Sequence, residues 1–201
     1  MNSLSGYTFH QTWTADKDLS LPAMLHLDAG RVYHLSGANG SGKTTLMQLM
    51  AGTLSNSKVL HSNTNNKTLN NNIFFLPHNA GFRRSWTGWD NLDYWCSLHN
   101  LKVKDHIINI SKHIDIYKLN NLMDIPLAQL SAGQQQRQAL LRLALVSDRK
   151  LWLLDEPETN LDDDATQMLG QVVADHAKSG GTVVWASHGI LPVPTPDKIT
   201  L

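Results

Sequence analysis

Cysteine is almost absent from the sequence, because Cys96 is the single one among 201 residues. One thiol excludes an internal disulfide and leaves too few thiolates for a cysteine-based metal site. No apolar run approaches the roughly 18 residues that a membrane-spanning helix requires. The first residues also lack the basic and apolar regions of a secretory signal. We therefore expect a protein that stays in the cytosol.

An excess of charge of either sign is also lacking. Lysine and arginine together number 17, as do aspartate and glutamate, so nothing favours nucleic acid or an acidic membrane surface as a partner. With 41% hydrophobic residues, a chain of this length buries one core or at most two closely joined subdomains. One compact unit is therefore expected.

A glycine-rich loop lies between a predicted strand, Arg31 to Ser36, and a predicted helix, Lys43 to Ala51. Its residues match the phosphate-binding pattern G-x-x-x-x-G-K-[ST] at every fixed position. Backbone N–H groups and the helix N-terminus would wrap the phosphates, Lys43 would reach the β- and γ-phosphates, and the Thr44 hydroxyl would ligate Mg²⁺. The predicted nucleotide-binding residues are Gly37, Ala38, Asn39, Gly40, Ser41, Gly42, Lys43, Thr44 and Thr45.

Two acids follow the continuous apolar strand predicted at Leu151 to Leu154. The carboxyl ends of parallel strands are where such sheets bind ligands. Asp155 is therefore predicted to hold Mg²⁺, directly or through water, and Glu156 to act as general base on the attacking water. Pro157 restricts the turn that follows, which argues against an accidental acidic surface turn.

Alternating apolar runs and helical patterns predict a mostly parallel sheet with flanking helices. Residues 56–72 are rich in Asn, Ser and Thr and predict a surface loop or an exposed hairpin. The other predicted elements are an apolar run at Ile73 to Leu76, helical segments from Asp90 to about Leu119, helices at Ala132 to Val146 and Asp163 to Lys178, a strand at Thr182 to Ala186 and an edge strand at Lys198 to Leu201.

The segment Leu130 to Gln134, L-S-A-G-Q, precedes a helix rich in Gln, Arg and Leu. It resembles the signature motif of the ATP-binding cassette (ABC) family. The resemblance implies ATP and Mg²⁺ as ligands, and a second copy of the chain as partner in a head-to-tail dimer. In that dimer Ser131, Gly133 and Gln134 contact the γ-phosphate of ATP bound to the opposite subunit.

Further segments resemble the family in the family's own order. Thr159 to Asp162 resembles the D-loop, and His188 resembles the switch histidine that senses the γ-phosphate. Trp13 resembles the aromatic residue that stacks on adenine, although an ordinary core tryptophan is an equal alternative.

The resemblance implies an α/β fold of the P-loop NTPase class, with a RecA-like, mostly parallel sheet, a small antiparallel β subdomain and an inserted helical subdomain. Residues 1–201 are expected to form one nucleotide-binding domain. Its catalytic core would comprise about 1–80 and 147–201, and its helical subdomain, with the signature motif, about 81–146.

Three sequence segments narrow the resemblance to one branch of the ABC family. They are Gln129 to Arg137, Leu151 to Pro157, and Thr87 to Leu92. They resemble the ATP-binding subunits of the cytochrome c maturation haem exporters. That family implies a peripheral ATPase on the cytoplasmic side of the inner membrane, bound to integral-membrane transporter subunits. Its ATP hydrolysis drives release of the haem-loaded chaperone.

Two other functions stay open. The motifs that bind and hydrolyse ATP do not indicate which cargo is transported, so the chain could power export of another small molecule or a lipid. A binding module that uses ATP to clamp nucleic acid or ribosomes is an alternative of another class. Such relatives usually carry a long coiled-coil insertion or two cassettes; the sequence has neither, and no nucleic-acid partner is expected.

The sequence departs from the family at Asn79, which stands where the family has the Q-loop glutamine. Asparagine has the same amide but one methylene fewer. Asn79 is predicted to lie at the nucleotide. It could reach Mg²⁺ only if the loop shifts or a water intervenes, and ATP turnover could be weaker as a result.

The segment after Asn79 combines aromatic residues with arginine, a composition typical of interface hot spots. We predict that Trp86, Arg83 and Arg84 contact a membrane subunit. For Trp89 and Trp95, packing in the core of the helical subdomain is the favoured alternative.

Overall fold

The computed structural model describes residues 6–12, 24–54, 58–61, 72–189 and 192–201. Trp13 lies outside these residues, as does most of the segment predicted to be a loop at residues 56–72. Within that segment, Lys58–His61 form a strand.

The chain divides into two compact units. The first contains residues 1–78, 148–157 and 170–201, and the second contains residues 79–147 and 158–169. Residues 158–169, which follow the two acids, belong to the second unit.

The first unit contains a parallel sheet of five strands, in the order β5-β6-β7-β3-β8. The mostly parallel sheet predicted from the sequence is confirmed. Its strands are β3, Val32–Ser36; β5, Ile73–Leu76; β6, Leu151–Asp155; β7, Thr182–Ala186; and β8, Asp197–Thr200. Every residue of β6 and β7 is buried, which explains why both read as continuous apolar runs.

Helix α1, Lys43–Met50, packs against β6. Its apolar residues Leu46, Met47 and Met50 join the core that Leu35, Leu153 and Val184 form with other strand residues. Burial of this helix face fixes its N-terminus at the carboxyl end of the sheet, where the glycine-rich loop lies.

A second sheet in the first unit is antiparallel, with the order β2-β1-β4. Its strands are β1, Tyr7–Thr12; β2, Met24–Leu27; and β4, Lys58–His61. The small antiparallel part of the expected fold is therefore present.

The second unit is helical. Helix α2, Gly88–Leu98, begins with a capping box between Thr87 and Asp90, and α3 follows at Ile107–Ile116. The predicted helix at residues 132–146 is divided into α4, Ala132–Leu140, and a short α5, Arg142–Leu145. The N–H of Leu141 bonds to the carbonyl of Gln138, three residues back, and this tighter turn separates the two.

Helix α6 runs from Asp163 to Lys178, as predicted. Within the part of the chain that the structure describes, no helix combines the length and apolar character needed to cross a bilayer.

Candidate nucleotide-binding site

The glycine-rich loop connects the end of β3 to the start of α1. Gly40 and Gly42 have φ angles of 79° and 97°, a region that residues with a Cβ rarely adopt. At Gly37, a Cβ would lie 2.7 Å from the backbone carbonyl oxygen of Leu201, so no side chain fits there. The backbone of the loop therefore depends on its glycines, as the phosphate-binding pattern requires.

The buried Lys43 is held inside this loop. Its Nζ donates hydrogen bonds to the carbonyls of Gly37 at 2.9 Å and of Ala38 at 3.0 Å. Among the described residues, the buried Oγ of Ser41 has no hydrogen-bond partner. A buried cation and an unpaired hydroxyl in one loop suit the phosphate oxygens of a nucleotide.

Thr44 and Asp155 meet at the start of α1 and the end of β6. The Thr44 hydroxyl donates a hydrogen bond of 2.9 Å to Oδ2 of Asp155, whose side chain is buried. A hydroxyl oxygen beside a carboxylate oxygen is the hard-ligand chemistry that Mg²⁺ prefers. The residues present thus fit a nucleotide-bound Mg²⁺.

Glu156 follows β6 directly and has a φ of 49°, an uncommon conformation for glutamate. Its backbone N–H donates to the carbonyl of Ala186 at 3.0 Å. Oε1 lies 3.4 Å from Nε2 of His188, and Oε2 lies 3.5 Å from Nδ1 of His78. The structure therefore brings His188 to Glu156, and contact of His188 with a γ-phosphate stays a prediction.

Sequence reasoning missed His78. It follows the apolar strand β5 by two residues, and β5 is a neighbour of β6 in the sheet. A histidine just past the end of an apolar strand was the available signal, but the strand order is needed to place it beside Glu156.

The signature turn lies at the N-terminus of α4. Ser131 caps the helix: its Oγ accepts from the N–H of Gln134, and the Gln134 side chain accepts from the N–H of Ser131. At Gly133, a Cβ would lie 2.5 Å from the carbonyl oxygen of Asn160. Glycine is thus required where the turn meets the segment predicted to be the D-loop.

A second contact joins the same two segments. Arg137, one turn further along α4, pairs with the carboxylate of Asp162. Asp162 also accepts a hydrogen bond of 2.9 Å from the N–H of Ala165, which lowers the pKa of its carboxyl group. Within the second unit, the signature turn and residues 159–162 form one connected structure.

Asn79 belongs to the second unit, where it stabilises its own loop. Its Oδ1 accepts a hydrogen bond of 3.0 Å from the N–H of Gly81, whose φ is 66°. This arrangement is an Asx turn, in which the short asparagine side chain bonds to the backbone two residues on. A role for Asn79 as a metal ligand stays a prediction.

Arg142 was also missed, although an arginine within an apolar helix is a recognisable signal. Its guanidinium is buried, donates to the carbonyl of Ala80 at 2.8 Å and lies over the rings of Phe82 and Trp95. Burial lowers its pKa to about 10, so it stays charged at neutral pH. Arg142 therefore anchors the loop that contains Asn79 to the helices behind it.

Some of the predicted interface residues form a cluster of arginine with aromatic rings, and Trp95 instead packs in the core. Arg83 lies over the rings of Trp86, at 4.6 Å, and Tyr94, at 5.0 Å, and these rings pack edge to face. Trp95 is buried in the core of the helical unit, in agreement with the alternative interpretation for that residue. The cluster of Arg83, Trp86 and Tyr94 is hereafter the arginine–aromatic cluster.

The geometry of the first unit defines a class of protein. A buried lysine in a strand–loop–helix turn, joined through Thr44 to a buried acid at the end of β6, is the arrangement of a P-loop nucleotide-binding protein.

Comparison with known proteins gives the family. Residues 22–159 match the family model described as ABC transporter. The chain therefore belongs to the ABC transporter family. It is 32% identical to a cytochrome c biogenesis ATP-binding export protein, CcmA, of Histophilus somni, over 92% of this chain and 87% of the relative.

Two further relatives belong to the same family, and two solved structures have the same fold. The CcmA proteins of Pseudomonas fluorescens and Vibrio cholerae are 38% and 34% identical, and the alignments cover 83% and 81% of this chain and 80% of each relative. A Pyrococcus furiosus protein assigned as an ABC transporter ATP-binding protein shares the fold, with a TM-score of 0.76 at 22% identity over 98% of both chains. An ATP-binding subunit of an ABC transporter has a TM-score of 0.77 at 16% identity, over 92% of this chain and 80% of that one.

Proposed function

We propose that this chain is the ATP-hydrolysing subunit of an ABC transporter that serves cytochrome c biogenesis and exports haem. The observation that carries ATP hydrolysis is the contact of Thr44 with Asp155, next to Glu156 and His188. The role in cytochrome c biogenesis is supported by the names of the relatives.

Hydrolysis transfers the γ-phosphoryl group to water. Residues 37–45 bind the phosphates, with Lys43 exchanging its two carbonyl partners for phosphate oxygens. Glu156 accepts a proton as the water oxygen attacks the γ-phosphorus, and the bond from that phosphorus to the bridging oxygen of ADP breaks. His188 contacts Glu156 and would also contact the γ-phosphate.

Thr44 and Asp155 would hold Mg²⁺, and Asn79 would reach the ion only if its loop shifts or a water intervenes. When bound, the ion neutralises charge on the phosphate oxygens. Trp13 is the proposed stacking partner of adenine.

A second copy of the chain completes the site. Ser131, Gly133 and Gln134 of that copy would contact the γ-phosphate, because the backbone N–H groups at the start of α4 attract anions. ATP then holds the dimer together, and release of phosphate opens it.

Integral-membrane subunits are the proposed second partner, and the arginine–aromatic cluster is the surface offered to them. Trp86 is partly buried and Tyr94 is exposed, and accessible aromatic residues with arginine are common at such interfaces. The chain would lie peripherally on the cytoplasmic side of the inner membrane, where its motion releases the haem-loaded chaperone.

The variant Glu156→Gln tests the shared site. It should bind ATP, hydrolyse it only at a small residual rate, and accumulate as a dimer in analytical ultracentrifugation with saturating ATP and Mg²⁺. The matched double variant Glu156→Gln with Ser131→Arg should stay monomeric, because the arginine obstructs the signature turn. A monomeric Glu156→Gln protein under these conditions would contradict the model.

The cargo needs a separate experiment. Capture of the full chain from solubilised membranes, with identification of the bound proteins, should recover membrane subunits that handle haem. Recovery of a permease for another small molecule or a lipid would overturn the proposed cargo. Recovery of nucleic acid, released by salt, would overturn the transport function.

A further inference from the structure

His78 is an ionisable residue next to Glu156 that the proposed mechanism does not use. Its Nδ1 lies 3.5 Å from Oε2 of Glu156, and Nε2 of His188 lies 3.4 Å from Oε1. Each carboxylate oxygen therefore faces a different imidazole ring. Glu156 lies between two histidines rather than beside one.

The parallel sheet creates this arrangement. Strand β6 lies between β5 and β7, with Leu76 paired to Leu154 and Ala186 paired to Asp155. His78 follows the end of β5 by two residues, and His188 follows the end of β7 by two. The two histidines thus extend from the strands on either side of the strand that carries Glu156.

The carboxylate of Glu156 needs such support. Its side chain is 30% exposed and has several rotatable bonds, so without partners it would sample several rotamers. Both distances are longer than the roughly 2.7–3.2 Å of an N–H···O hydrogen bond, and such contacts commonly shorten when substrate binds. A ring on each side restricts rotation of the carboxylate in both directions.

We infer that His78 is a positioning residue for ATP hydrolysis: with His188, it holds the carboxylate of Glu156 in the orientation that accepts a proton from the attacking water. This inference rests on the proposed ATPase function. His78 acts through Glu156 and makes no contact of its own with the reacting phosphate.

The first test is steady-state ATP hydrolysis by the full chain, comparing His78→Leu with His78→Asn. Leucine has no polar atom, whereas the asparagine amide places a nitrogen close to the position of Nδ1. We expect His78→Leu to lower kcat roughly 10- to 100-fold, as is typical for a misplaced catalytic group, with KM for ATP unchanged. His78→Asn should recover a substantial part of kcat.

His26 offers a matched control, because its Nε2 lies 3.1 Å from a carboxylate, that of Asp28, in the antiparallel sheet. His26→Leu removes a comparable contact and should leave kcat unchanged. His78 is 55% exposed, so its variants should also unfold at the wild-type temperature.

The second test is a double-mutant cycle under single-turnover conditions. In the Glu156→Gln background, His78→Leu should have no further effect, because the group that it positions is gone. An equal loss in both backgrounds would overturn the inference, as would a wild-type kcat for His78→Leu. A wild-type chain that hydrolyses no ATP, alone or with its membrane partner, would instead overturn the proposed function and this inference together.

Discussion

The hydroxyl of Thr44 donates a hydrogen bond of 2.9 Å to Oδ2 of Asp155, a residue 111 positions later in the sequence. The bond joins the first turn of α1 to the end of β6, two elements that pack against each other in the core. Both proposed magnesium ligands are therefore fixed by the same packing that stabilises the sheet, which reduces the reorganisation required when the metal–nucleotide complex binds.

Thr44→Val should separate the role of the Thr44 hydroxyl as a magnesium ligand from the packing of the side chain. Valine keeps the shape of threonine but removes the hydroxyl, so magnesium-dependent ATP hydrolysis should fall by roughly 10- to 100-fold. The buried Asp155 also loses a donor, which should cost about 1–3 kcal/mol of unfolding free energy. Thr44→Ser, which keeps the hydroxyl, is the control. Equal activity of the two variants would exclude a ligand role for the hydroxyl.

Glu156 should lower the stability of the folded chain while it is required for ATP hydrolysis. Its φ of 49° is costly for most residues, by about 1–2 kcal/mol, whereas asparagine tolerates this region. Both Glu156→Asn and Glu156→Gln should leave only a small residual rate of hydrolysis, but only the asparagine variant should be more stable than wild type, by about 1 kcal/mol. Urea unfolding of the three proteins without nucleotide measures this difference. If asparagine and glutamine variants unfold at the same urea concentration, the backbone strain is not relieved.

His176 should make the fold sensitive to acid. It is buried, its ring stacks on Trp152 at 3.7 Å, and its Nε2 has no hydrogen-bond partner among the described residues. Burial, with a smaller effect of Lys150, lowers its pKa from 6.5 to about 4. Between these values the unfolded chain binds more protons than the folded chain, so stability should fall as the pH decreases from 6.5 toward 4.

Thermal unfolding of His176→Phe over this pH range tests the assignment. Phenylalanine keeps a flat ring against Trp152 and cannot bind a proton, so the decrease in stability with acid should become shallower. His99→Phe is the matched control, since His99 also stacks on a tryptophan, Trp95, but is exposed. An unchanged pH dependence in His176→Phe would assign the acid sensitivity to other groups.

Local patterns predicted several elements accurately. The helix Asp163–Lys178 and the strand Thr182–Ala186 have the predicted ends, because amphipathic spacing marks the helix, Gly180 and Gly181 follow it, and the strand is wholly buried. The strand Lys58–His61 was predicted as loop or hairpin. Its pairing with β1 is a non-local contact that a polar, asparagine-rich segment does not reveal.

The distinction between local patterns and non-local contacts also applies to the candidate site. Residues of the glycine-rich loop and the two acids lie in short motifs, so the residue types and their spacing indicate the chemistry. The contacts of Glu156 with His78 and of Arg142 with Ala80 depend on which strands and helices are neighbours. Sequence spacing contains no direct record of strand order, and these residues therefore emerged only from the structure.

Asn79 provides a final test of whether the departure from glutamine weakens the enzyme. In the structure its Oδ1 accepts from the N–H of Gly81 and closes an Asx turn. Glutamine is one methylene longer and forms this turn poorly, so Asn79→Gln should lose about 0.5–1.5 kcal/mol of stability. The ATPase rate should not increase, because the loop is built for the shorter side chain.

Asn79→Asp is the control for the turn, since aspartate also accepts a hydrogen bond from the backbone two residues on. It should retain the stability that Asn79→Gln loses, as measured by urea unfolding without nucleotide. A several-fold rise in the ATPase rate of Asn79→Gln would contradict the prediction. It would mean that the side chain at position 79 limits hydrolysis through its reach toward the metal, and that the Asx turn is secondary.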